Sequence, residues 1–75
     1  MDMNIGEAVE ALKDGFAVSR RAWYGNHSLR IQNPDTNSFM TEPYVFITTQ
    51  RGEGIPWLCS QADLLADDWF LKEEI

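Results

Sequence analysis

The chain has 75 residues, twelve acidic against six basic side chains for a formal charge of −6, and a hydrophobic share of 44% that includes three Trp, two Tyr and four Phe. That length allows one domain, spanning 1–75, whose folding removes only about 60% of the unfolded surface from water. The charge disfavours DNA and anionic membrane as partners, one cysteine closes no internal disulfide, and one histidine with one cysteine is too few for a structural zinc.

Oligomerisation is the remaining support for so small a core, and the aromatics supply apolar surface for it. No run approaches the roughly 20 apolar residues of a membrane span. The first residues lack a basic region followed by an apolar one, and the lone thiol fits a reducing compartment, so the expectation is a cytoplasmic chain. The acids are scattered among apolar residues, which reads as a solvated surface rather than an ordered acidic face imitating DNA.

Asn4-x-x-Glu7 is a capping box that opens a helix. Ile5, Ala8, Val9, Ala11 and Leu12 recur at helical spacing behind it, and Gly15 stops it as a left-handed cap. Phe16-Ala17-Val18-Ser19 alternates like a half-buried strand, and Arg20 to Asn26 follows as a loop with two cations and two aromatics. Leu29 to Gln32 is a second short strand, and Asn33 to Ser38 is dense in turn formers. Tyr44 to Thr49, β-branched and aromatic, reads as the central strand, with Gln50 to Gly54 turning it back onto Ile55 to Leu58.

Ser60-x-x-Asp63 reads as a second capping box, the Ser hydroxyl accepting the N–H three residues on and the Asp carboxylate reaching back to the Ser N–H, with Cys59 and Leu64 closing a hydrophobic staple. Helical spacing puts Leu64, Leu65 and Trp69 on a buried side and leaves Gln61, Asp67 and Asp68 in water. The free N–H groups at this helix start are a place for an anion. Trp69 to Leu71 is a last strand, and Lys72 to Ile75 a tail. The predicted fold is α+β: a small antiparallel sheet with an N-terminal helix and a short C-terminal helix, homo-oligomeric.

No catalytic constellation stands out. His27 lacks a nucleophile partner in sequence, and Cys59 reads as a small core residue with nothing beside it to lower its pKa. Asp63, Asp67 and Asp68 point different ways around a helix, which argues against a metal, and no cofactor is implied. What remains is a binding constellation. Arg20, Arg21, Trp23, Tyr24 and Asn26 place charge, stacking faces and an amide within seven residues, a mixture suited to a ligand with phosphates and a base. The opposing reading makes Trp23 core or subunit contact and pairs the arginines with surface acids.

The segments Ile5-Gly6-Glu7-Ala8, Ala11 to Gly15, Val18-x-Arg20-Arg21-x-Trp23-x-Gly25 and Pro56-Trp57-Leu58-x-Ser60-Gln61-x-Asp63-x-Leu65-Ala66-x-Asp68-Trp69 resemble the Thoeris anti-defence two-like family of small phage and prophage proteins. The resemblance implies a homo-oligomer, commonly a tetramer, in the bacterial host cytoplasm. Such a protein binds a cyclic nucleotide immune signal, a cyclic ADP-ribose isomer or a cyclic oligonucleotide, and sequesters it without cleaving it. It also implies that Trp23 stacks on a ring, that Arg20 or Arg21 meets phosphate, and that Ser60, Gln61 and Asp63 border the pocket. Two departures are Ala62, where relatives often carry Thr, and a shorter stretch from Asn33 to Pro43. The expectation is a binding protein rather than an enzyme. The alternatives are a protein-binding module that blocks a defence effector directly, and a hydrolase that degrades the signal.

Overall fold

A computed structural model describes residues 2–25 and 27–72. Asn26, one of the candidate ligand contacts, and the tail beyond Lys72 lie outside the described residues. The elements run α1 (Ile5–Lys13), β1 (Val18–Arg20), β2 (Ser28–Gln32), β3 (Tyr44–Thr48), β4 (Gly54–Pro56), α2 (Gln61–Leu64) and β5 (Trp69–Leu71). The strands form one antiparallel sheet in the order β4-β3-β2-β1-β5. The α+β architecture is the one the sequence predicts.

Helix α1 begins as its capping box requires. The Asn4 side chain accepts the Glu7 N–H at 2.9 Å, and Glu7 accepts the Asn4 N–H at 3.0 Å. These bonds satisfy backbone donors that the first turn leaves without a helical partner. At its far end the chain leaves through Gly15 at φ 92°, which a side chain would strain. Ala8 and Leu12 are buried against Val18, Leu29 and Trp69.

Cross-strand register shows which residues share a face. Val18 pairs with Leu29 and Leu71, Leu29 with Ile47, and Ile47 with Ile55, so these point to the α1 side. Arg20 and Trp69 are paired on that same face. The opposite face carries Ser19, Phe70, Arg30, Gln32, Tyr44, Phe46 and Pro56, and neither helix packs on it.

Trp69 is the centre of the molecule. It is wholly buried, with Trp23 and Trp57 edge-on at ring separations of 5.3 and 5.9 Å. Its indole N–H donates to the Asp63 carbonyl at 3.1 Å. Met3 exchanges two backbone hydrogen bonds with Trp69, and the Lys72 N–H donates to the Ala17 carbonyl. Packing of this kind contributes beyond buried area because edge-on rings match the positive edge of one to the negative face of the other.

Several expectations need correction. The middle strand of the sheet is β2, with Tyr44–Thr48 lying between it and β4. The apolar run in β3 reflects partial burial on both faces rather than a central place. The strand expected from Phe16 starts at Val18, and Ala17, Val18 and Ser19 are all buried instead of alternating. Ser19 tolerates burial because its hydroxyl donates to the His27 carbonyl at 2.8 Å. Arg20 belongs to the strand, not the loop. The fourth strand ends at Pro56, although the Trp57 N–H still donates to the Val45 carbonyl at 3.0 Å.

Helix α2 is one turn, too short to present a periodic apolar face. Leu64 and Leu65 are therefore exposed, Cys59 is exposed rather than core, and no buried staple forms between Cys59 and Leu64. Partial burial of the sulfur, then the Asp63 charge, push the Cys59 thiol up. The turn former cluster behaves as expected: the Asp35 carboxylate accepts from the Asn37 N–H and the Ser38 hydroxyl, which holds its carboxyl below the usual range.

Candidate functional site

The Ser60 hydroxyl accepts the Asp63 N–H at 3.1 Å, so the Ser60 half of the predicted capping box is present. The Asp63 carboxylate turns inward from that cap. Its Oδ1 accepts Arg20 Nη1 at 2.8 Å and the Trp23 indole N–H at 3.4 Å. Asp68, expected in water, takes the other side of the same guanidinium: Arg20 Nε donates to its Oδ1 at 2.7 Å and Nη2 to its Oδ2 at 3.4 Å. The Ala22 N–H also donates to Asp68, at 3.1 Å. Thus one cation at the end of β1 ties together the α2 cap and the approach to β5.

The electrostatics follow from this geometry. Burial pushes the Asp63 carboxyl up, but hydrogen bonds from Arg20, Ser60 and Trp23 outweigh it and hold the group below the usual carboxylate range. The Asp68 carboxyl is lowered chiefly by its hydrogen bond from Arg20. Arg20 is raised in turn by Asp68 and Asp63. Two carboxylates on one guanidinium leave the cluster net negative, so a phosphate approaching Arg20 meets repulsion on the order of a few kcal/mol at close range. The anion seat expected at the start of α2 has the same difficulty, since Asp63 occupies that first turn.

Arg21 has a different setting. Its Nε donates to Asp2 at 2.7 Å and its guanidinium lies 4.8 Å from the centre of the Phe70 ring. Its side chain is 55% exposed against 15% for Arg20, which makes it the more accessible of the two arginines. Tyr24 is almost fully exposed, and its carbonyl accepts from His27 Nδ1 at 2.7 Å, which requires the proton on that nitrogen. Gly25, at φ 77°, has no room for a Cβ: one would stand 2.7 Å from the Gln50 side-chain oxygen. Gln61 opens α2 in an exposed position. The structure thus joins Arg20, Trp23, Ser60 and Asp63 in one network and leaves Arg21, Tyr24 and Gln61 outside it.

Asp68 and Trp69 also belong to this corner, through Arg20 and the Asp63 carbonyl, although the sequence pattern does not mark them as site residues. Among the described residues no three His, Cys, Asp or Glu side chains gather to hold a metal. No helix among them is long and apolar enough to cross a membrane.

Residues 3–71 match the family model described as Thoeris anti-defense 2-like domain, and the chain belongs to that family. A relative described as Thoeris anti-defense 2, from Bacillus phage SP01, is 35% identical over 81 aligned positions covering 89% of this chain and 91% of the relative. The family name places the chain among proteins of phage anti-defence.

Proposed function

We propose that this protein is a sponge: it binds a cyclic nucleotide immune signal, holds it uncleaved, and so keeps a bacterial effector inactive. Family membership across nearly the whole chain is the observation that carries this reading. The signal is a cyclic ADP-ribose isomer or a cyclic oligonucleotide, and the protein acts by binding, without catalysis, in the cytoplasm of the host. A homo-oligomer, a tetramer in the simplest case, gives so small a chain enough surface to enclose such a ligand.

The Trp23–Asp63–Arg20 network supports the reading as a rigid base for the exposed Arg21, Tyr24, Ser60 and Gln61. A sponge works by stoichiometry, so affinity has to be high; a nanomolar Kd corresponds to about 12 kcal/mol. The test incubates purified protein with cyclic ADP-ribose isomers and cyclic oligonucleotides, measures free ligand, then denatures the protein and measures again. Ligand that disappears and returns intact is the expected result. Altered ligand establishes a hydrolase instead. The exposure of Tyr24, Leu58 and Leu65 favours one second reading, a module that blocks a defence effector directly. That module leaves every small ligand in solution and is recovered in complex with the effector.

A further inference from the structure

One carboxylate holds the start of the candidate loop. The side-chain oxygens of Asp68 accept Arg20 Nε at 2.7 Å and Nη2 at 3.4 Å, and Oδ2 also accepts the Ala22 N–H at 3.1 Å. The Asp68 carbonyl accepts the Arg21 N–H at 3.2 Å. Asp68 thus meets Arg20, Arg21 and Ala22 in succession. The Trp23 N–H donates to the Arg20 carbonyl at 3.1 Å, which closes Arg20 to Trp23 as a hydrogen-bonded turn.

The sequence of this turn does not account for its shape. Arg20-Arg21-Ala22-Trp23 contains no Gly, Pro, Asn, Asp or Ser, the residues that set turn geometry locally. In an Asx turn the first residue is Asn or Asp, and its side-chain oxygen accepts the N–H two residues on. Here the first residue is Arg20, whose guanidinium has only donors. The oxygen on that N–H belongs instead to Asp68, 46 positions along the chain from Ala22. The clamp is itself anchored, because the next residue, Trp69, is wholly buried and stands opposite Arg20 in register.

The turn leads directly into candidate ligand contacts. Trp23 closes it and is fixed at its indole N–H by Asp63, and Tyr24 follows in almost full exposure. A turn without local turn formers samples many conformations, and that freedom has to be given up when a ligand binds. Holding the turn in advance removes this cost from binding. The Asp68 carboxylate faces Arg20 and repels an anion, so it acts through the turn and not as a ligand contact.

We infer that Asp68 is the positioning residue of the candidate binding loop. It lends the Arg20–Trp23 turn the acceptor that the turn's own residues lack, and so presents Trp23 and Tyr24 in preformed geometry. This assignment rests on the nucleotide-sponge reading and adds to it a residue that works without touching the ligand.

The test is equilibrium dialysis of the full chain against cyclic ADP-ribose, its isomers and cyclic dinucleotides, with Asp68→Ala, Asp68→Asn and Leu12→Ala variants. Hydrogen exchange of the Ala22 amide, followed by NMR, reports the turn itself. Thermal melts fix a temperature at which every variant is folded, and Asp68→Asn carries the comparison if Asp68→Ala does not fold. Asp68→Ala is expected to weaken binding and to speed Ala22 exchange at least tenfold each. Asp68→Asn keeps one acceptor oxygen and is expected to lose less of both. Leu12→Ala loosens the core away from the turn and is expected to bind within about twofold of wild type. Undiminished binding by a folded Asp68 variant overturns the positioning role and leaves the sponge reading intact. Weakened binding with unchanged Ala22 exchange also overturns it, by making Asp68 a direct contact, and an equal loss in Leu12→Ala overturns it by assigning the effect to stability alone. Absence of any binding by the wild-type chain overturns the sponge reading and this assignment together.

Discussion

The two sides of this small sheet differ in how far their side chains are covered. On the α1 side, Arg20, Asp63, Asp68 and three tryptophans meet one another, and among the described residues no buried side-chain nitrogen or oxygen lacks a partner. On the other side, Tyr44 and Phe46 border open concavities and no helix covers them. The first arrangement makes a fold; the second leaves its rings beside open space. Residue types alone do not separate the two roles, because both sides hold aromatics and arginine.

The sharpest way to break this comparison is at Trp69. Replacing it with Ala removes the buried centre of the Trp cluster and orphans its contacts, with an expected loss of about 3–5 kcal/mol, read from urea unfolding. A domain of this size has little more than that to lose. A cost below about 1 kcal/mol would mean that the centre of the fold lies elsewhere.

Asp63→Ala comes next, at about 2–4 kcal/mol, because it unpairs one side of the Arg20 guanidinium and the Trp23 indole N–H together. An Arg20→Ala, Asp63→Ala double variant that loses less than the sum of the singles confirms that they act as one unit.

Acid sharpens the same point. The Asp63 and Asp68 carboxyls are held below the usual carboxylate range in the fold, so their stabilisation is fully present above the range in which unfolded carboxyls titrate and is lost as pH falls through their folded range. The urea midpoint is expected to hold from pH 7 to about 5 and to drop below about 4. In Asp63→Asn the drop is shallower. An equally steep drop in that variant assigns the acid sensitivity to other carboxylates.

The smallest effects belong to the exposed aromatics. Tyr24→Ala and Phe39→Ala are each expected to change stability by less than about 0.5 kcal/mol, since their rings lie in water. Thermal melts check this, and a larger loss from Phe39→Ala would show that its loop supports the open face.

Local features were the readable part of the sequence. The Asn4–Glu7 cap, the Gly15 exit, the Asp35 turn and the Ser60 cap each involve residues three or fewer positions apart, where side-chain chemistry and backbone geometry are directly coupled. The Arg20 cluster was not readable in the same way, because its partners lie 43 and 48 positions along the chain. The motif that carried the family resemblance already contained Arg20, Asp63 and Asp68, but only the fold shows that they bind one another. The short α2 misled for a related reason: an apolar pattern was extended past the single turn that the chain forms, and Leu64 and Leu65 came out exposed. The open face was missed because Arg30, Gln32, Tyr44 and Phe46 sit on two strands and converge only through their pairing.

The place of β5 has a consequence for synthesis. Although it follows every other described strand in the chain, it pairs with the first, and its Trp69 fills the core while holding Met3 on the far side. During translation β1 and α1 emerge early but have an incomplete core until that tryptophan leaves the ribosome. Folding is therefore concentrated in a late step, and a product arrested before Trp69 exposes its apolar side to host proteases.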